Sequence, residues 1–577
     1  MPPTSPPPEP SARRVGVAAA SLLAAAVGSL ALWARLYRPV LADPTRLVPT
    51  GQFHPGFVWG IDHVARMLTG QRPLSVWTDR LGFPEAVHAE LVAWAPAVCV
   101  APLAGVLGPV GALNAALALT SVANALSGAW LLRRLSAAAW PACAALGVAL
   151  AWIPVAIGFH TAGQLEKAQL WCIFLPLALL EPTLSARPGR AAAAGLAGLA
   201  TLVAASFTAP SLTLVLPFGM LALGLASLLA GPARASVLLR GALVGGLSVL
   251  ALLPARAYYA AVTELGSAAF RPASHGDALG SPGSASASLD QLFWPPATLS
   301  PYHHLPYLGL AWGLGALLLL GLGLGLRGHG HQQLGPRGGL LAGLLVSVAG
   351  ILVALGPVLL WRGEPLRLGG ASLYLPMGWL ARWGYPLAAS GQYYRAAALA
   401  SAGLALVAAA GLARLRPLPA TVLALALAGA AVQDGFSATR AWWPLPARPI
   451  PGAALLLGLV ADPAPGAVLV LPLDIDADVA GQVVAGATLH GRAVTTRIRR
   501  MDRREIPSLR ELDRQVRAAL ALDPSQAGPA LAAMGFHAVL WYEVPHRDPD
   551  LDRGVVERAL GPAGTLDGVT MWVLPTP

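Results

Sequence analysis

Apolar runs of about 20 residues recur along the first three quarters of this chain, each long enough to cross the ~30 Å of hydrocarbon in a bilayer. That pattern removes most folds, because in lipid only helices and closed barrels satisfy their own backbone. Only 12% of the 577 residues are charged and 55% are hydrophobic, where an ordinary soluble domain carries about 25% charged residues. The chain reads as a polytopic membrane protein, mainly α.

A net charge of +11 does not make it a nucleic-acid binder. Basic and acidic residues roughly balance beyond Arg440, so the excess lies in the membrane part, where it sets orientation. Residues 91–107 decide the parity of everything after them. If they lie along the surface, Arg133-Arg134, Arg187, Arg190, Arg234, Arg240, Arg327, Arg337, Arg414 and Arg416 all join the side of Arg13-Arg14. The segment is therefore expected as a re-entrant or juxtamembrane helix, ended by Gly108-Pro109. Spans follow at 15–36, 111–132, 138–158, 168–183, 191–208, 211–230, 237–254, 307–326, 340–360, 395–413 and 418–434, about eleven in all. The cytoplasmic membrane, a cytoplasmic N-terminus and a periplasmic C-terminus are the matching localisation.

Residues 1–14 are Pro-rich and expected to be disordered, and 15–434 form the membrane domain. From about Phe436 the composition changes. GAVLVLPLD, FHAVLWYE and VTMWVL read as strands and SLRELDRQVRAALAL as a helix, giving a small soluble α/β domain over 435–577. Cys99, Cys143 and Cys172 lie in apolar surroundings without metal-ligand spacing and read as small buried hydrophobes.

Chemistry is concentrated between the spans. The first loop, 37–90, is long, and a loop of that length is usually functional or disordered. It holds Asp43, His54, Asp62, His63, Asp79, Glu85, His88 and Glu90. Phe57, Ile61, Val64, Ala65 and Leu68 recur there at helical spacing, which predicts an amphipathic helix lying on the bilayer. Asp62 on that helix and Asp79 or Glu85 beside a Gly-Phe-Pro turn are candidate bases, since a general base needs one carboxylate within reach of its proton. A solvated helix face or a turn would carry the same residues. Glu166 and Lys167 stand between two apolar runs, where ionisable groups default to function, although a span end also lets them reach water. Arg256, Arg271, Arg382 and Arg395 stand at outer span ends, where a guanidinium can grip a lipid phosphate. Arg395, after Gln392-Tyr393-Tyr394, is the best of the four. The adjacent His303-His304 pair has no third ligand in view, so no metal site is assigned.

The order of first span, long loop with amphipathic helix, Gly-Pro-broken run and a span ending in two arginines resembles the GT-C class of membrane glycosyltransferases. The chain is also similar to bacterial relatives of that class with segments like VWTDRLGFPE, HTAGQLEKAQLWCIFLPLALL, GQYYRAAAL and a terminal α/β domain. The resemblance implies transfer of a sugar, a hexosyl or pentosyl group, from a polyprenyl-phosphate donor to a glycan, lipid or protein acceptor at the outer face of the bilayer. The class places an Asp early in the first outer loop, a position that falls here near Gly51-Gln52-Phe53, without a carboxylate. Asp62 or Asp43 would then activate the acceptor, and Glu166 would orient the acceptor or a divalent metal. Arg395, Arg382 and Tyr394 would hold the donor, with Asp79 and His88 as further binding residues. A non-catalytic protein that binds or assembles lipid-linked glycans is the alternative. A secondary transporter ranks below it, since its paired inverted repeats are not visible.

Overall fold

Proline sets where many of these helices begin. A proline in the first turn starts α2 (His54–Leu68), α4 (Trp140–Ala151), α5 (Pro154–Ala162), α7 (Pro188–Thr208) and α8 (Pro210–Thr213). The missing N–H would have had no intrahelical partner there. The computed structural model describes residues 12–575 except 52, 74–76, 79, 84–86, 89–92, 186, 231–233, 266–285, 295–306, 310–311, 314, 317–318, 321–335, 383–392, 441–442, 463, 474–476, 497–506 and 544–550.

The remaining helices of the bundle are α1 (Ala12–Leu36), α3 (Trp94–Ser136), α6 (Trp171–Ser185), α9 (Leu216–Ala230) and α10 (Arg234–Leu265). After them come α11 (Leu289–Phe293), α12 (Pro336–Ala354), α13 (Pro376–Arg382), α14 (Ala397–Leu412) and α15 (Pro417–Ala438). Seven helices among the described residues are long and apolar enough to cross a membrane, or eight if α4 and α5, bent by 45°, make one span. Two shorter apolar helices, Trp171–Ser185 and Gly338–Ala354, add to them. Eleven spans were expected, and the one at 307–326 lies largely outside the described residues.

Close approaches show which helix ends share a level. Asn114 donates to the carbonyls of Pro44 (2.8 Å) and Leu47 (3.0 Å). Ala93 N–H donates to Thr208 O at the far end of α7. Both ends of the 94–107 arm therefore lie at one end of the bundle, the loop end. The helix breaks between arm and span at Gly108, with φ +70°, a conformation that costs glycine nothing. At the other end Arg133 caps the carbonyls of Ala137 and Ala138, and Arg240 reaches Leu184 O. Arg133 and Arg240 thus lie at the end opposite the long loops.

The chain beyond α15 builds a four-stranded mixed sheet in the order β11-β12-β10-β9. Its strands are β9 (Ala467–Leu471), β10 (Phe536–Tyr542), β11 (Gly564–Leu566) and β12 (Val569–Val573). β9 and β10 run parallel and the other pairs antiparallel. Both faces of β10 are buried, and the alternation of a strand divides them cleanly. Leu469, Val539 and Trp541 face a core formed with α18 (Pro507–Leu520), α19 (Pro524–Ala533) and α20 (Arg553–Leu560). Val468, Val470 and Leu540 share a core with α17 (Ala477–His490) and with the loop-end residues Trp59, Ile61 and Val64 of α2. α16 (Ala453–Ala461) packs beside α17.

This corrects the expected setting of α2. The helix forms where the spacing placed it, but it is packed between α3 and α17 rather than laid with one face on lipid. Val58, Trp59, Ile61 and Met67 are all buried, so apolar surface wraps most of the helix. The first loop also completes the C-terminal sheet. Val494 bridges Val468 on one side and Leu81 on the other, both parallel. Gly82 N–H donates to Thr496 O, Phe83 N–H to Val494 O, and Val494 N–H to Arg80 O. Earlier in the loop, β1 (Val48–Pro49) pairs with β8 (Ala447–Arg448).

Candidate active site

The link between α5 and α6 is held irregular at the loop end by polar side chains of α3. Gly163, at φ +77°, ends α5. Asn124 then donates to Ala168 O at 2.7 Å and accepts from Trp171 N–H at 2.9 Å. Gln169 donates to Thr120 at 2.7 Å and accepts from the Trp171 indole. These buried bonds replace the helix ladder that the link gives up, and they present Glu166 and Lys167. The two groups stand 3.8 Å apart, with side chains 17% and 14% exposed, too enclosed to be freely solvated.

Opposite the link, the short helix Tyr393–Ala396 opens α14. Arg395 is 4% exposed and its Cζ lies 6.0 Å from the Tyr394 ring centre. The Tyr394 ring is 6.4 Å from that of Phe159, just before the link, and Glu166 is near enough to act on Tyr394 electrostatically. Among the described residues, Glu166 Oε2, Arg395 Nε and the Tyr393 hydroxyl are buried with no hydrogen-bond partner. Buried polar atoms are normally paired. Glu166 thus keeps one acceptor oxygen, and Arg395 one donor, without a hydrogen-bond partner among the described residues, each within reach of Tyr394.

The early-loop position packs directly on α5. Phe53 N–H donates to Ala162 O, and a Cβ at Gly51 would meet both His54 and Thr161 O at 2.5 Å. His54 and His160 are both buried. The Tyr37 hydroxyl lies between them, 3.5 Å from His54 Nε2 and 3.1 Å from His160 Nδ1. Burial and the neighbouring His160 lower the His54 pKa to about 3, so that imidazole is neutral at physiological pH. Tyr37, His54 and His160 fill the place where a carboxylate was expected.

The other candidates are scattered. Asp62 is 6% exposed and accepts from Arg66 at 2.8 Å. Burial raises its pKa, with Arg66 and then Arg72 opposing the shift. Its neighbour His63 accepts from Arg72 at 2.8 Å and stacks on Trp59. Asp43 sits in an exposed turn, bonded to Thr45 at 2.8 Å and 3.7 Å from Arg46. His88 stands opposite Trp77 in the two-residue ladder of β2 (Trp77–Thr78) and β3 (Val87–His88). Arg382 ends α13. Asp79, Glu85, Glu90 and His303-His304 lie outside the described residues. The structure thus brings Glu166, Tyr394 and Arg395 together and leaves Asp43 and Asp62 in their own ion pairs. Among the described residues no three His, Cys, Asp or Glu side chains could jointly hold a metal. A carboxylate the sequence reading passed over, Asp434 near the end of α15, accepts from Tyr307 at 2.7 Å.

The cryo-EM structure of the arabinofuranosyltransferase AftD from Mycobacteria aligns with 96% of this chain at 15% identity and a TM-score of 0.55. A mutant of that enzyme aligns over the same share at 14% identity and 0.53. The fold is that of the GT-C membrane glycosyltransferases. The chain spans about two fifths of AftD's length, with 40% of that chain covered. An oligosaccharyltransferase from Archaeoglobus fulgidus also aligns, at 12% identity over 92% of this chain and 70% of that one, with a TM-score of 0.47. No family model matches the sequence, and no curated protein matches it. In this fold Glu166 and Arg395 both act on Tyr394.

Proposed function

We propose that this chain transfers a sugar from a polyprenyl-phosphate donor to a glycan, lipid or protein acceptor at the loop end of the bundle, on the periplasmic side of the cytoplasmic membrane. One observation supports the reading: a buried Arg395 and a half-buried Glu166 both act on Tyr394, and each keeps one buried polar atom without a hydrogen-bond partner among the described residues. Ionisable groups held at membrane depth, even beside a counter-charge as Glu166 is beside Lys167, favour a substrate site. Arg395 suits the donor phosphate, because a guanidinium gives charge-assisted, directed bonds to phosphate oxygens. Glu166 suits the acceptor hydroxyl, as the carboxylate that takes or orients its proton. Asp62 and Asp43 are the reserve candidates for that base, each already engaged by an arginine. Arg382, Asp79 and His88 would contribute at the rim, and a divalent metal could join only through ligands beyond these. The C-terminal α/β domain, docked on the first loop, would cover the acceptor path.

The test is binding and transfer measured together on the purified full-length protein. Polyprenyl phosphate should bind, and Arg395→Ala should weaken it by about 10–100-fold, the worth of one charge-assisted bond. A labelled polyprenyl-phosphate sugar should pass its label to an acceptor fraction from the cell envelope. A second reading, binding or assembly of lipid-linked glycans without catalysis, is favoured by the imidazoles and Tyr37 at the early-loop position. Tight binding with no transfer from any donor would select it, and no binding at all would sink both.

A further inference from the structure

A small meander follows α12 at the loop end. β4 (Leu360–Trp361) pairs with β5 (Glu364–Pro365), and β6 (Arg367–Leu368) with β7 (Ala371–Ser372). Cross-links hold it together: Leu359 N–H to Leu373 O, Leu366 N–H to Leu359 O and Leu373 N–H to Leu366 O. It is also pinned to the bundle. Arg362 N–H donates to Asp290 at 2.8 Å and Gly363 N–H to Ser288 at 3.2 Å, both at the start of α11. The segment is a built element, so its surface composition has to be explained.

That surface is apolar. Leu368 is 78% exposed, Tyr374 49%, Trp361 46% and Leu366 42%, with Trp379 of α13 at 58%. Such a cluster is large for a face bathed in water. Arg362 and Arg367 are exposed among these residues, and so is Glu364. The preceding helix supplies the context. On α12, Leu344, Val348 and Leu352 are exposed at four-residue spacing, a stripe that faces hydrocarbon in a membrane bundle. The helix ends at Ala354 and the meander begins within a few residues, so it stands where hydrocarbon gives way to headgroups. Trp and Tyr concentrate at that level, and long basic side chains can bury their stems while their charge reaches phosphate.

We propose that the 357–375 meander is a lipid-binding element. Its Trp361, Leu366 and Leu368 enter the acyl boundary of the leaflet at the loop end, and Arg362 and Arg367 meet the lipid phosphates. The occupant of this face is the bilayer itself, and the assignment stands apart from the sugar-transfer reading.

The experiment uses full-length protein with Cys99→Ser, since Cys143 and Cys172 are buried. Spin labels are placed at Leu368→Cys, at Leu366→Cys, and at Leu566→Cys on the C-terminal sheet, a site 38% exposed. The protein is reconstituted in phosphatidylethanolamine–phosphatidylglycerol vesicles, and collision with oxygen is compared with collision with a water-soluble nickel chelate. Labels at 366 and 368 should favour oxygen several-fold more than the label at 566, and Arg362→Gln with Arg367→Gln should reduce that preference. Equal preference at all three sites would overturn the proposal and leave the face to a protein partner. An unchanged melting temperature of each labelled protein shows that the face was intact when probed.

Discussion

Arg492, partly buried, and Arg395, buried, sit in regions that use a guanidinium in opposite ways. At the edge of the C-terminal sheet, Arg492 donates to the carbonyls of Ala464 and Asp462 at 2.6 Å each, and more weakly to Leu459 and Gly466. Its donors are spent on loops that enter β9. At the loop end of the bundle, Arg395 keeps Nε without a partner among the described residues. Burial alone therefore does not mark function. Arg492 spends its donors on backbone and fastens loops, whereas Arg395 meets Tyr394 and keeps Nε for the donor-binding role proposed above.

The sharpest way to break this contrast is at Glu166. Glu166→Gln should lower turnover by about 10²–10⁴-fold while donor binding and melting temperature hold, because it removes a base and keeps the shape. A variant that turns over normally would move the base elsewhere. Next in size is Arg492→Met, which keeps the stem and strips the donors. It should cost about 2–4 kcal/mol of stability by thermal unfolding of the full-length protein, with the KM for donor unchanged. A loss of donor affinity instead would give Arg492 a donor-binding role too.

His54 gives a smaller, pH-dependent effect. Its folded pKa of about 3 lies below the ordinary 6.5, so between those values the unfolded chain binds the extra proton. Stability is then fully present above pH 6.5 and falls as the pH drops toward 3, by about 2 kcal/mol at most at pH 5. His54→Gln should flatten the dependence of melting temperature between pH 7 and 5. The smallest change is expected from Asp43→Asn, within about 0.5 kcal/mol as for an exposed turn and with near-normal turnover. If turnover collapses there, the first loop supplies the base and the Glu166 assignment fails.

Seven of the expected spans reappear as long apolar helices among the described residues, legible because in hydrocarbon a single chain segment satisfies its own backbone as a helix. Glu166 and Arg395 were also visible singly, as charges at the margins of apolar runs. Their convergence was not, since it depends on Asn124 and Thr120 of α3 holding a link whose shape no periodicity encodes. α2 shows the same limit. Helical spacing finds its apolar face but cannot tell a lipid surface from a protein one, and its partner α17 lies at the far end of the chain. Of Tyr37, His54 and His160, the sequence singles out only His54, as one of the titratable groups of the first loop. The available signal was an imidazole beside Gly163 and another beside Gly51, glycines that leave room for close packing. The Gly-Phe-Pro in VWTDRLGFPE reads as a turn, which hid the β-bridge that Leu81 makes with Val494.

That bridge imposes a schedule on synthesis. Arg80 and Gly491, joined by a hydrogen bond, are 411 positions apart. At about 5–20 residues per second, the ribosome needs roughly 20–80 s to travel from one to the other. Throughout that interval the 80–83 segment has left the ribosome and its partner does not yet exist. The helices between them are made first, and only a stretch that follows them closes the first loop.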